Sequence, residues 1–359
     1  VIRPLSPWAQ RPRLPAEWER QAAVQLTWPH DTEGLWGDQF PAVEGCFVAM
    51  ATAIAANQPL LVVCHDEALR DRVDRLLERA GVAADVRTLA VAPSNDIWAR
   101  DHGPITILQG DGRPLIQDFA FNGWGQRFRA DRDDVITQHL VQQGLFGDTA
   151  FRRVEWVLEG GSIDTDGAGT ILTTERCLLN DNRNPGATRE QVEQQLCARL
   201  GASRVFWLRH GALTGDDTDS HVDMLARFTD PETITYTACP DPDDEDYAEL
   251  QAMEQELRQF RTLRGTPYRL VPLPWPGIKR DEEGQRMPAS YANFLVINGA
   301  VLVPQYQDPA DEQALAVLGA LFPDREIIGI PALPLIHQHG SVHCATMQLP
   351  AGVQLSADN

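Results

Sequence analysis

The sequence predicts an α/β protein of five similar modules in one domain, residues 1–359. Amphipathic segments alternate with short apolar runs, and no Pro- or Ser-rich linker divides the chain. The runs also start at similar intervals of roughly 50–70 residues, the spacing of a repeated supersecondary unit. Apolar residues three and four apart predict helices over 40–56, 67–80, 134–145, 189–200, 247–263 and 311–321. Asp308 and Pro309 form a start signal before the last of these, and Gly81 and Gly201 act as stops. Extended runs are predicted over 85–91, 153–158, 204–208, 268–273 and 325–330, each followed by a polar loop and further strands. Asp166-Gly167 and Asn298-Gly299 read as two-residue hairpin turns. A doubly wound α/β sheet is the alternative architecture.

Composition narrows the function. The chain carries 31 Lys+Arg against 51 Asp+Glu, a formal net charge of −20. Nucleic acid and anionic membranes select for basic patches, so neither is expected as a partner. A cationic small molecule remains compatible, and a negative surface would steer one inward. No apolar run is long enough to span a membrane. The first residues, Val1-Ile2-Arg3-Pro4, lack the pattern of a secretion signal. The six cysteines are scattered without a C-x-x-C pair, which predicts reduced thiols and a cytoplasmic location.

Chemistry-bearing residues collect in the loops after the extended runs. They are Asn95-Asp96-Ile97-Trp98-Ala99-Arg100-Asp101, Glu159-Gly160-Gly161-Ser162, Gly215-Asp216-Asp217-Thr218-Asp219-Ser220-His221-Val222-Asp223 and His339-Gly340-Ser341-Val342-His343-Cys344. A radial arrangement of modules would bring these loops to one end of an axis. Cys344 could then attack carbon as a thiolate, with His221 as its acid or base. The acids around Trp98 suit a planar guanidinium, which takes carboxylates at its edge and an aromatic ring on its face. Glu159 could hold His221 or a substrate nitrogen. Arg100 reads as an internal ion-pair partner. A zinc site made from His337, His339, His343 and Cys344 is a rival reading, but no second cluster of matching spacing supports it.

Together with Ser290-Tyr291-Ala292-Asn293-Phe294, these motifs resemble the agmatine deiminases, a family grouped with bacterial-type peptidyl-arginine deiminases. The resemblance runs from about Pro15 to Pro350 and implies a pentein fold, a five-bladed α/β propeller with pseudo-fivefold symmetry. It implies a single catalytic domain, with Cys344 as nucleophile and His221 as general acid/base. Asp101 and Asp223 would clasp the guanidinium and Glu159 would orient His221 or a substrate nitrogen. Trp98, Asp96, Asp217 and Asn293 would bind substrate. The implied reaction, in putrescine biosynthesis, hydrolyses agmatine to N-carbamoylputrescine and ammonia through a cysteine thiouronium, without cofactor or metal. Two positions depart from the family pattern: His339 and Ser220 stand where glycine is usual. A peptidyl-arginine deiminase, an amidinotransferase of the same fold and a non-catalytic binder of cations stay open as alternatives, and a homodimer is left open.

Overall fold

The computed structural model describes residues 11–31, 34 and 36–356. The opening Val1-Ile2-Arg3-Pro4 and the outer limits of the 1–359 domain lie outside the described residues.

Five sheets repeat one plan, with a separate two-stranded ribbon beside them. In each, a first strand pairs antiparallel with a second, and a helical crossover leads to a third strand parallel to the second. One sheet joins Ile105–Leu108, Pro114–Ala120 and Ala150–Val157. The next joins Ile163–Thr165, Thr170–Thr174 and Arg204–Leu208 through the helix Arg189–Leu200. A third joins Ala226–Asp230, Thr233–Thr237 and Arg269–Leu273 through Tyr247–Leu257. A fourth joins Leu295–Val296, Ala300–Gln305 and Glu326–Pro331 through Asp311–Leu321. In the remaining sheet the last strand of the chain, Thr346–Pro350, pairs antiparallel with Gln21–Thr27, which is followed by Leu60–Cys64 and Arg87–Val91 in parallel. The first and last described strands therefore meet in one blade. This is the five-bladed α/β plan, and it replaces the doubly wound sheet as the reading of the helix–strand alternation.

Local chemistry explains the elements. Asp66 caps Glu67–Arg79 by accepting from the Leu69 amide at 2.8 Å, and the helix buries Leu69, Val73 and Leu77 at four-residue spacing. Thr188 and Gln191 form a capping box on Arg189–Leu200, which Gly201 ends in the left-handed region at φ 70°. Leu60–Cys64 is buried at every position, as expected of a strand covered on both faces.

Several boundaries differ from the sequence reading. The helix expected over 247–263 stops at Leu257, because the chain turns there toward a short bridge between Arg261 and Pro267. The one expected over 134–145 shrinks to Ile136–Gln142 behind a 3₁₀ turn. There the carboxylates of Asp133 and Asp134 bind the amides of Asn95 and Phe121 at 2.7 and 2.6 Å. The run 85–91 is extended only over Arg87–Val91. Asn298-Gly299 is a two-residue turn closed by the Ile297 amide on the Ala300 carbonyl at 2.9 Å. The turn at Asp166 is longer, because the Asp166 carboxylate accepts from the amides of both Ala168 and Thr170 at 2.8 and 2.9 Å. The strands Gln21–Thr27 and Leu60–Cys64 went unread. No helix among the described residues is long and apolar enough to cross a membrane.

The site follows from the repeat. Each blade's first strand is preceded by a tight turn: Ala99–His102, Gly160–Ser162, Val222–Met224, the turn closed by the Asn293 amide on Ser290, and the turn closed by the Ala345 amide on Ser341. Asp101, Glu159, His221, Asp223, Asn293 and Cys344 all lie in or beside these turns.

Leu349 in the closing strand is fully buried. Leu349→Ala should lower stability by about 2–5 kcal/mol, the range for a large-to-small change in a core. Urea unfolding checks this, and a loss well under 1 kcal/mol would show that closure of the blade does not rest on this packing.

Candidate active site

Cys344 is 5% exposed and opens onto a pocket walled by Asp96, Trp98, Asp101, Trp124, Phe128, Asp217, Thr218 and His339. The Asn293 side chain bonds the Cys344 turn at two backbone amides. The Asn293 carbonyl oxygen accepts from the backbone amides of His343 and Cys344 at 2.9 and 3.2 Å. The Asn293 amide in turn donates to Cys344 Sγ and to Asp223 Oδ2, each at 3.2 Å. Asp223 Oδ2 lies 3.6 Å from the sulfur, while Asp223 Oδ1 is buried without a protein partner. Asn293, expected at the substrate, therefore directs its hydrogen bonds to the cysteine turn and to Asp223.

Asp101 faces the same point. Its Oδ1 accepts from the Gly161 amide at 2.9 Å and its Oδ2 from the Trp124 indole at 3.1 Å. His221 Nδ1 is 3.7 Å from Asp101 Oδ1, and both ring nitrogens lack a close hydrogen-bond partner. A Cβ added at Gly161 would lie 2.6 Å from His221 Nδ1, 2.9 Å from Asp101 Oδ1 and 3.1 Å from Asp223 Oδ2. Glycine thus lets three functional side chains from two other turns, Asp101 from one and His221 and Asp223 from the next, surround one backbone atom. Glu159 accepts from Arg183 Nε at 2.9 Å through one oxygen, and its other oxygen is buried without a partner. Arg183 also binds the Thr218 carbonyl at 2.9 Å and pairs with Asp219, so it ties the Glu159 turn to the His221 loop.

The site is electrostatically tense. Burial, together with the charges of Asp223 and Asp101, pushes the Cys344 thiol well above its usual range. Burial pushes Asp101 up to about 6, against the pull of His221. Burial opposes charge on His221, but Asp101, Cys177 and Glu159 outweigh it and lift the imidazole well above its usual range. Asp96 keeps part of its surface open to the pocket, yet burial and the charge of Asp217 push it up to about 7. Burial raises Asp217 as well. The carboxyl groups of Asp96, Asp101, Asp217 and Asp223 around the thiol form a site that favours a cation.

The two departures from the family pattern both sit in the left-handed region that glycine tolerates best: His339 at φ 65° and Ser220 at φ 66°. Each is held there by a hydrogen bond, His339 Nδ1 with the Gly215 carbonyl at 2.7 Å and the Ser220 amide to Asp216 at 2.6 Å. Gly340 must be glycine for another reason, since a Cβ would lie 2.3 Å from the Trp98 ring. Arg100 is an internal partner, 3.7 Å from Glu17.

The histidines weighed as zinc ligands do not converge: His339 serves the Gly215 loop, and His343 is clamped between Asp223 and Glu17. The metal-competent grouping among the described residues is Glu159, Cys177 and His221, with ligand atoms within 4.8 Å of one another. Sequence reasoning missed Glu17, Trp124, Cys177 and Arg183. Cys177 and Arg183 follow the strand pair after Glu159, but none of the four stands inside one of the motifs, so none carries a local signal.

The family model of the Porphyromonas-type peptidyl-arginine deiminases matches residues 13–350. The chain belongs to that family. Within it, an agmatine deiminase of Stutzerimonas stutzeri is 32% identical over 94% of this chain and 95% of its own length. A Porphyromonas gingivalis structure, provisionally assigned as an arginine deiminase, is 51% identical with a TM-score of 0.88, covering 95% of this chain and 99% of its own. A C. jejuni agmatine deiminase, solved as a cysteine-to-serine form with substrate bound, is 32% identical with a TM-score of 0.85 and covers 96% and 97%. The deiminase-family fold thus extends over nearly the whole chain.

In this deiminase-family chain Gly161→Ala should place a methyl group among His221, Asp101 and Asp223. A loss of at least 100-fold in kcat/KM is expected with the melting temperature nearly kept. Near-normal turnover would mean that the three side chains do not close on this point.

Proposed function

We propose that this chain hydrolyses agmatine to N-carbamoylputrescine and ammonia, with Cys344 as nucleophile and His221 as general acid and base. The observation that carries the reading is a thiol at the end of a pocket whose walls pair carboxylates (Asp96, Asp101, Asp217) with indoles (Trp98, Trp124). Such walls suit a flat guanidinium joined by an apolar chain to a second cation. The relatives named as agmatine deiminases support the substrate, and a cysteine-to-serine form caught with its substrate supports a cysteine nucleophile.

The chemistry follows from the charges. In the free enzyme the carboxylates keep Cys344 protonated. An arriving guanidinium offsets Asp101 and Asp223, and the thiol releases its proton to solvent. The thiolate attacks the guanidinium carbon, and a C–S bond forms. The C–N bond then breaks as protonated His221 delivers a proton to the departing ammonia. Neutral His221 next takes a proton from water, hydroxide adds to the thiouronium carbon, and the C–S bond breaks to return the thiolate. Asp223 Oδ1 and the second oxygen of Glu159, both without protein partners, are the acceptors left for guanidinium N–H groups. Fixing these acceptors in advance is the electrostatic contribution to catalysis. Free arginine fits less well, because among the described residues no Arg or Lys lines the pocket to meet a carboxylate and Arg127 is engaged by Asp217 and Asp219. Six free thiols accord with a cytoplasmic location.

Agmatine, arginine and a peptidyl-arginine should be compared for ureido product. Turnover is expected with agmatine, and Cys344→Ala should abolish it while agmatine binding by calorimetry persists. Preference for peptidyl-arginine would replace the substrate, and turnover surviving in Cys344→Ala would remove the nucleophile.

Asp96 gives a pH signature. Its ionised form attracts a cation and is lost as pH falls through about 7, while both ends of agmatine stay protonated there. KM for agmatine should therefore rise on acidification across that range. In Asp96→Asn it should be high and nearly flat, and a wild-type slope in the variant would assign the titration to another group.

A further inference from the structure

The nucleophile's chain neighbour begins a buried charge relay that no sequence motif contains. His343 is 2% exposed, with Nδ1 2.8 Å from Asp223 Oδ2 and Nε2 2.8 Å from Glu17 Oε2. A neutral imidazole has one N–H and can donate to only one of these carboxylates. The other nitrogen would then turn its lone pair toward a carboxylate oxygen.

A proton moved to either acid would relieve this contact only by neutralising that acid, and other donors hold both acids ionised. Glu17 accepts from the Val296 amide at 2.7 Å and from Arg227 Nη2 at 2.9 Å, with Arg100 at 3.7 Å. Burial opposes its charge, but Arg227, His343 and Arg100 outweigh burial and hold Glu17 far below the usual carboxylate range. Asp223 also accepts from Asn293, and the bond from His343 holds it below its usual range despite full burial.

We propose that His343 is a buried imidazolium that positions Asp223 and offsets its charge beside Cys344, with Glu17 as the second carboxylate that keeps the ring charged. This inference rests on the reading of Cys344 as nucleophile. His343 does not face the substrate pocket, so it is a positioning residue. Its charge acts on a carboxylate 3.6 Å from the sulfur, where uncompensated negative charge would oppose thiolate formation. By holding Oδ2, His343 also leaves Oδ1 free for a guanidinium N–H.

The charges around the ring come from separate elements: Asp223 after the His221 turn, Glu17 from the N-terminal segment, and Arg227 from Ala226–Asp230. Arg100, from the Asp101 turn, donates through Nε to the His343 carbonyl at 3.3 Å. Asp164 lies beyond Arg227, pairing with it at 3.2 Å.

Glu17→Gln is the test, since it keeps shape and size. The new amide would donate to Nε2 and leave a neutral ring still donating to Asp223 through Nδ1. The readouts are the pH dependence of Cys344 alkylation by iodoacetamide in free enzyme, mapped by peptide mass, and the kcat and KM for agmatine. At a fixed pH below the thiol midpoint, alkylation should slow about tenfold, equal to one pH unit along the profile. Most of the loss in kcat/KM should lie in kcat. An unchanged alkylation profile, with any activity loss following the melting temperature, would overturn the relay.

Should Glu17→Gln not fold, His343→Gln keeps a donor to Asp223 without a charge and must show the same slowed alkylation. An unchanged rate there also overturns the relay. Alkylation needs no substrate, so a wild type inert toward agmatine would sink the deiminase reading and leave this test intact.

Discussion

A carboxylate removed from water persists only where donors replace the lost hydration. Asp223, fully buried, depends on Asn293 and His343 for that replacement, and the same oxygen lies 3.6 Å from Cys344 Sγ. These groups come from turns that precede the first strands of different blades. Keeping them in register requires each strand start to hold its place against the others. The repeated plan supplies that constraint: an antiparallel pair for rigidity, a helical crossover to a third strand, and a tight turn before the first strand. Pairing of Thr346–Pro350 with Gln21–Thr27 fixes the Cys344 turn in the same way.

The charges explain why the resting site is quiet. Burial and nearby acids keep the thiol protonated, while Asp101, Cys177 and Glu159 keep His221 charged despite its burial. Neither group is poised for chemistry alone. In the proposed mechanism a cationic guanidinium supplies what is missing, because it offsets the carboxylates that oppose the thiolate. Reactivity and selectivity then have one origin, since a neutral molecule of the same shape would leave the thiol protonated. The other buried cysteines offer a contrast. Cys46 and Cys64 are pushed up to about 12 by burial and have no such pocket.

The sequence made the modules readable where periodicity was strong, as in Arg189–Leu200 and Arg204–Leu208, which match residue for residue. Boundaries slipped where side chains or turns overrode periodicity, as at Leu257 and at Asp133–Val135. Leu60–Cys64 passed unread because a uniformly apolar run has no alternation to identify it as a strand. Cys344, His221, Asp101, Asp223 and Glu159 were legible because each stands in a compact loop motif of chemistry-bearing residues, and the structure brings them to one place. Glu17 was not legible, because a lone glutamate 326 positions from His343 carries no local sign of its partner. His343 itself was weighed as a metal ligand. Its neighbours on the chain suggested that reading, and its neighbours in space are carboxylates.

In the proposed mechanism, cation recognition and nucleophilic attack share the space above Cys344. A crystal structure of the Cys344→Ser variant with agmatine tests it directly. The guanidinium carbon should lie within about 3.5 Å of the side-chain oxygen at position 344, a near-attack distance. Its nitrogens should lie against Asp101, Asp223 and Glu159, with the distal ammonium toward Asp96 and Asp217. Agmatine bound in the reverse direction, or with its guanidinium away from position 344, would contradict the account.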